Sequence, residues 1–143
     1  MWYKKNTIIC VTIVGDNLDL IVHNRETKTN TTIQKKVGRS LHKIPNTKLV
    51  SYISKTNQKW EIRSLNPKTG ETKKIVDAID MREDICWLPD GTMLAANKNV
   101  IMKFNPATDT KWTVFHTFPK GTYKNISRIL VDKKGTRLVL VSE

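Results

Sequence analysis

The stretch Cys86–Ala96, CWLPDGTMLAA, decides the fold. An apolar run ends at Leu88, Pro89-Asp90-Gly91 breaks it, and a second apolar run follows Thr92. Pro-Asp-Gly reads as a tight turn and the flanking runs read as strands. The same shape occurs three times: RSLHKIPNTKLVSYIS (39–54), EDICWLPDGTMLAANK (83–98) and SRILVDKKGTRLVLVS (127–142), each starting 44 residues after the last. Leu41, Ile85 and Ile129 fall in register, as do Val50, Leu94 and Leu138 on the next strand. Gly91 and Gly135 share a column that holds Thr47 in the first copy, and a left-handed turn is expected there.

A second echo lies between the first ones. SLNPKTGETKKI (64–75) matches KFNPATDTKWTV (103–114) through Asn66-Pro67 and Asn105-Pro106. A weaker copy, VGDNLDLIVHNRETKTNTTIQ (14–34), carries Asn24-Arg25 at that place. A period in the low forties made of short strands is the signature of a propeller blade, four antiparallel strands per repeat. One small sheet cannot shield either face from water, so successive blades pack on one another. This accounts for strands such as RILV and RLVLV, which are apolar on both faces.

Thirteen strands are expected, grouped as three, four, four and two. Blades 38–80 and 81–121 are complete, and a third is split between 1–37 and 126–143. The fold class is therefore all-β, about three four-stranded antiparallel blades, half of a six-bladed propeller. Three blades cannot ring an axis. Two alternatives stay open: the sequence is part of a longer chain, or two copies close a six-bladed ring as a homodimer.

The net charge is +12 and the isoelectric point about 9.9. The cations come in scattered pairs such as Lys35-Lys36 and Lys133-Lys134, which reads as solvated surface and argues against nucleic acid as a partner. Cys10 and Cys86 stand alone in apolar strands with no C-x-x-C, so buried free thiols are expected and no metal or cofactor site. Thr7–Val14 follows a basic head as a signal peptide would, but Gly15-Asp16-Asn17 comes next, and the segment reads as a blade strand. No window has the roughly 18 apolar residues of a transmembrane segment.

Trp87-Leu88-Pro89-Asp90-Gly91, with Leu94-Ala95 on the next strand and the Asn-Pro-x-Thr segments closing the third, resembles the TolB-like (WD40-like) propeller repeat. The wording of the chain is similar to the C-terminal half of six-bladed TolB-like exported proteins of bacteria. The resemblance implies a periplasmic or exported scaffold that binds another protein, and not an enzyme. Leu88 stands where that family has serine, and the outer copies keep only Pro45 or only Gly135 of the motif.

Reaction machinery is not apparent: no nucleophile elbow, zinc-peptidase helix or phosphate loop occurs, and no catalytic residue is assigned. His42 reads as a packed strand residue, and His23 and His116 as outer-strand surface. Glu83 and Asp84 point to opposite sides of an extended strand, which argues against paired acid–base chemistry. The richest polar cluster is VDAIDMRED (76–84), a connection from an outermost strand to the next innermost one. With its counterparts at 35–40 and 118–127 it offers Arg39, Asp80, Arg82, Glu83, Asp84, Lys120, Tyr123 and Arg128 as a binding rim of mixed charge. Two rival functions stay open: the noncatalytic propeller of a prolyl-oligopeptidase-type hydrolase, and a propeller lyase or lactonase with a channel metal.

Overall fold

The computed structural model describes residues 1–142, and they form strands, turns and loops without a helix. Fourteen strands build three four-stranded sheets and one two-stranded sheet, each antiparallel and in chain order. Sheet I holds β1 (Trp2–Lys4), β2 (Thr7–Val14), β3 (Asn17–Asn24) and β4 (Thr29–Gln34). Sheet II holds β5 (Val37–Lys43), β6 (Val50–Ser54), β7 (Glu61–Leu65) and β8 (Thr72–Asp77). Sheet III holds β9 (Ile85–Trp87), β10 (Met93–Asn97), β11 (Val100–Phe104) and β12 (Thr113–Thr117). Sheet IV holds β13 (Ile126–Val131) and β14 (Leu138–Ser142).

One strand more is present than the sequence suggests. β1 pairs with β2 through Trp2↔Ile8 and Lys4↔Thr7, so sheet I has its own strand beside β2. The repeat pattern alone assigns that place to C-terminal strands. Three residues before a Lys5-Asn6 turn are too short to show a period, and the bonds that seat β1 come from the backbone. Met1 donates its amine to the Ile9 carbonyl at 2.6 Å and accepts from the Ile9 N–H at 2.9 Å.

The chain divides into two compact units, Met1–Lys43 with Lys48–Ala78, and Ile44–Thr47 with the residues from Ile79 onward. In the first, sheets I and II stack through Ile9, Leu20, Val37, Val50, Tyr52 and Leu65, all but fully buried. Each such side chain contributes about 1.5–3 kcal/mol on leaving water. In the second, sheets III and IV stack through Cys86, Leu94, Ala96, Ile101, Ile126 and Ile129.

The Asn echo has a single physical basis. Asn24, Asn66 and Asn105 each accept, through the side-chain oxygen, the N–H two residues on, from Glu26, Lys68 and Ala107, at 3.0, 3.1 and 3.0 Å. Four residues after the first two come Lys28 at φ 54° and Gly70 at φ 77°, which finish the turn left-handed. The third copy ends differently: Asp109 accepts the Asn105 N–H at 2.8 Å. The asparagine is what the turn requires, and the proline after it is dispensable.

The hairpin echo holds with one slip. Thr47, Gly91 and Gly135 donate their N–H to the carbonyls of Ile44, Leu88 and Asp132, three residues back in each copy. Gly91 and Gly135 are left-handed, but in the first copy Asn46 at φ 58° takes that role and Thr47 does not. Leu41 pairs with Tyr52 and Ile129 with Leu140, whereas Ile85 pairs with Ala95, one step short of the constant interval. The hairpin at Pro89-Asp90-Gly91 is thus one residue shorter than its siblings. A one-residue slip turns every side chain to the other face. Val50 lies in the core between sheets I and II, while Leu94 instead joins Cys86 in packing toward Ile126 and Ile129.

Candidate functional site

Seven of the eight rim residues lie in the second unit: Asp80, Arg82, Glu83, Asp84, Lys120, Tyr123 and Arg128. The structure joins two of them directly. Asp84 Oδ2 pairs with the Arg128 guanidinium at 3.3 Å, and its Oδ1 accepts the Ile129 N–H at 3.3 Å. β13 pairs only with β14 among the described residues, so this carboxylate caps a backbone group on the other edge of β13. The loop before β9 is thereby pinned to β13.

Between β8 and this anchor the chain turns at Ile79–Arg82, with the Arg82 N–H donating to the Ile79 carbonyl at 2.7 Å. Asp80 and Met81 sit at φ 41° and 54°, two successive non-glycine residues in left-handed backbone. Each costs of order 1 kcal/mol and persists only where neighbours fix it. Here Asn97, at the end of β10, donates to Asp80 Oδ2 at 2.7 Å. The result is a held turn that displays Met81, 59% exposed, between an acid and a half-buried arginine.

The other rim residues take separate roles. Tyr123 packs edge-on against Phe118, with ring centroids 4.8 Å apart, and belongs to the margin of the core. Lys120 is exposed in a turn closed by Thr122 donating to the Pro119 carbonyl. Glu83 is half-buried one residue before Asp84. Arg39 belongs to the first unit, exposed on β5. Burial first, and then repulsion from Arg39, holds the Lys55 ammonium below its ordinary range, and Lys55 Nζ lies 4.4 Å from the centre of the Trp60 ring.

Sequence reasoning missed Met81 and Asn97. Neither carried a signal: a left-handed pair without glycine is invisible in composition, and Asn97 reads as a strand end. Cys86 is a buried thiol, pushed up to about 12 by burial and secondarily by the Asp84 charge. Among the described residues no group of three or more His, Cys, Asp or Glu side chains is placed to hold a metal ion, and no helix is long and apolar enough to cross a membrane.

No family model matches the chain, and no curated protein matches it either. Solved structures do. The crystal structure of TolB from Acinetobacter baumannii is similar over 96% of this chain and 46% of its own, with 14% identity and a TM-score of 0.60. The tricorn protease is similar over 94% of this chain and 15% of its own, with 15% identity and a TM-score of 0.54. The chain thus spans about half of the TolB structure it matches, and its fold is that of TolB-like β-propeller blades.

Proposed function

We propose that this chain is a non-enzymatic propeller scaffold that binds another protein through the rim of its second unit. The observation that carries this reading is the Asp80–Met81 turn. A soluble protein gains nothing in stability from two strained residues that lift a methionine into water, whereas a partner would bury that methionine between complementary charges. Asp80, Arg82, Glu83 and Lys120 then form the polar surround, Asp84 and Arg128 hold the loop, and Tyr123 is a further contact of the same unit. Arg39 is proposed as a separate contact of the first unit. The fold of TolB supports a periplasmic or exported setting. The dispersed cations favour a protein partner over nucleic acid.

The likeness to the tricorn protease favours a second reading, in which these blades are the noncatalytic propeller part of a peptidase. Both readings place the binding surface on a propeller and differ in what the partner does.

A photo-crosslinking residue at position 81, with a second variant carrying it at position 113 on the outer strand β12, tests the main reading in the source cells. Discrete adducts from position 81 and none from position 113 are expected. Identical adducts from both positions, or none from either, would overturn it. A peptidase among the position-81 adducts would favour the second reading.

A further inference from the structure

The chain has four methionines, and the fold treats them differently. Met93 on β10 is fully buried, and Met102 on β11 is half-buried. Met1 is partly buried against the core of the first unit. Only Met81 is exposed. A thioether needs no ionisation before it reacts with an oxidant, so access decides which methionine is oxidised.

The turn that displays Met81 is held by its neighbours. Arg82 closes it through the backbone, and Asn97 holds Asp80 through its side chain. Asn97 opens the β10–β11 turn, which is itself fastened to two other segments of the same unit. The Lys98 carbonyl accepts the Ile126 N–H at 2.9 Å and the Asn99 carbonyl accepts the Phe118 N–H at 2.9 Å. The Asn99 side chain donates back to the Phe118 carbonyl at 2.7 Å. None of these bonds uses the Met81 side chain. An oxygen added to its sulfur therefore changes the chemistry of the surface and leaves the turn in place. On Met93 the same oxygen would put a polar atom into the core.

We propose that Met81 is a modification site at which hydrogen peroxide forms methionine sulfoxide, and that this oxidation closes the rim to its partner. The sulfur lone pair attacks one peroxide oxygen, and the S–O bond forms as the O–O bond breaks. The sulfur gives up two electrons to the peroxide. The departing hydroxide takes the proton of the transferred oxygen and leaves as water.

The selectivity of the oxidation stands on burial alone, and its effect on binding rests on the rim reading proposed above. A partner that receives the flexible, apolar Met81 side chain offers no donor for a sulfoxide oxygen. Burying that oxygen unmet weakens the complex by about tenfold or more. The change is reversible, because sulfoxide reductases return the thioether at the expense of a dithiol.

The test has two arms, both on the purified full chain. In the first, the chain is titrated with hydrogen peroxide and its peptides are mapped by mass spectrometry. Sulfoxide is expected at Met81 first, with Met93 unmodified until denaturant is added and the urea midpoint unchanged. In the second, a photo-crosslinking residue stands at position 98, exposed beside Asn97. The chain is oxidised or left reduced, the peroxide is removed with catalase, and an extract of the source cells is added before irradiation. Oxidation should cut the adducts about tenfold, and reductase with dithiothreitol should restore them. Met81→Leu should keep its adducts after peroxide, and Met81→Gln should lack them before it. Oxidation of Met93 or Met102 ahead of Met81, or a fall in the urea midpoint on Met81 oxidation, would overturn the proposal. Adducts that survive oxidation of Met81 would overturn the switch and leave the rim reading standing. Absence of adducts from the reduced chain at both positions 81 and 98 would overturn the rim reading and the switch together.

Discussion

Asp84 and Arg128 form an ion pair at 3.3 Å between residues 44 positions apart, the interval of the strand-turn-strand repeat. The pair looks like the fastening of the second unit, but magnitudes assign the fastening to a different bond. Arg128 is half-exposed, and an ion pair with one half-exposed partner is worth about 0–1 kcal/mol. The bond from the buried Ile129 backbone is the costly one to lose, because an unmet buried N–H costs about 1–3 kcal/mol. Asp84→Asn keeps that acceptor and should cost under about 1 kcal/mol. Asp84→Ala removes it and should cost about 1–3 kcal/mol. Urea unfolding of the two variants measures the difference, and equal losses would return the credit to the ion pair.

The two turn glycines should differ in their tolerance of a methyl group. Gly91 at φ 90° has nothing within 4 Å of an added carbon, so Gly91→Ala meets backbone strain alone, about 1 kcal/mol. Gly135 at φ 72° would place that carbon 2.8 Å from Cδ of Pro89, a ring that cannot swing aside. Gly135→Ala should therefore cost about 2–4 kcal/mol. Denaturant midpoints with an unchanged m-value check the ranking.

Acid should loosen the protein from two places. Hydrogen bonding by Arg63 holds the Glu61 carboxyl below its ordinary 4.5, and backbone N–H donation from Arg137, Thr136 and Gly135 holds Asp132 below its ordinary 3.8. In both cases the folded state binds its proton less readily than the unfolded chain. The stabilisation is complete above the ordinary values and is lost as pH falls below them through the lowered ones. Glu61→Gln should be less stable than the parent at neutral pH, and the gap should close in acid. A gap that stays constant with pH would contradict the assignment.

Cys86, with a thiol pushed up to about 12, remains protonated at pH 8. Native protein treated with iodoacetamide at that pH should carry no label at Cys86 until denaturant is added, since the thiolate is the reactive form. Peptide mapping of the alkylated chain reads this out. Rapid native labelling would show that the sheet III and IV core opens readily.

The repeat was legible because it is written in backbone requirements. Pro89-Asp90-Gly91 and the three turn asparagines set chain reversals, and reversals at a near-constant interval can only separate strands of near-constant length. The β1 strand was not legible, since its place is set by Met1 and Ile9 backbone groups that any side chains would leave in position. Of the rim, Asp84 and Arg128 could be named because they sit where a polar connection enters an innermost strand. The Asp80–Asn97 bond could not, because it joins a loop to a strand end through side chains that recur in no other copy. Tyr123 is half-buried with its ring edge-on to Phe118, an orientation that its charged neighbours in sequence do not reveal.

The short hairpin at Pro89-Asp90-Gly91 limits how this sequence can be recombined. A gene-shuffling experiment that moved Ile85–Asn97 into the place of the first hairpin, matching columns by the constant interval, would send Leu94 to the opposite side from the Val50 it replaces. The three copies share a turn and an interval, yet they are not spare parts for one another.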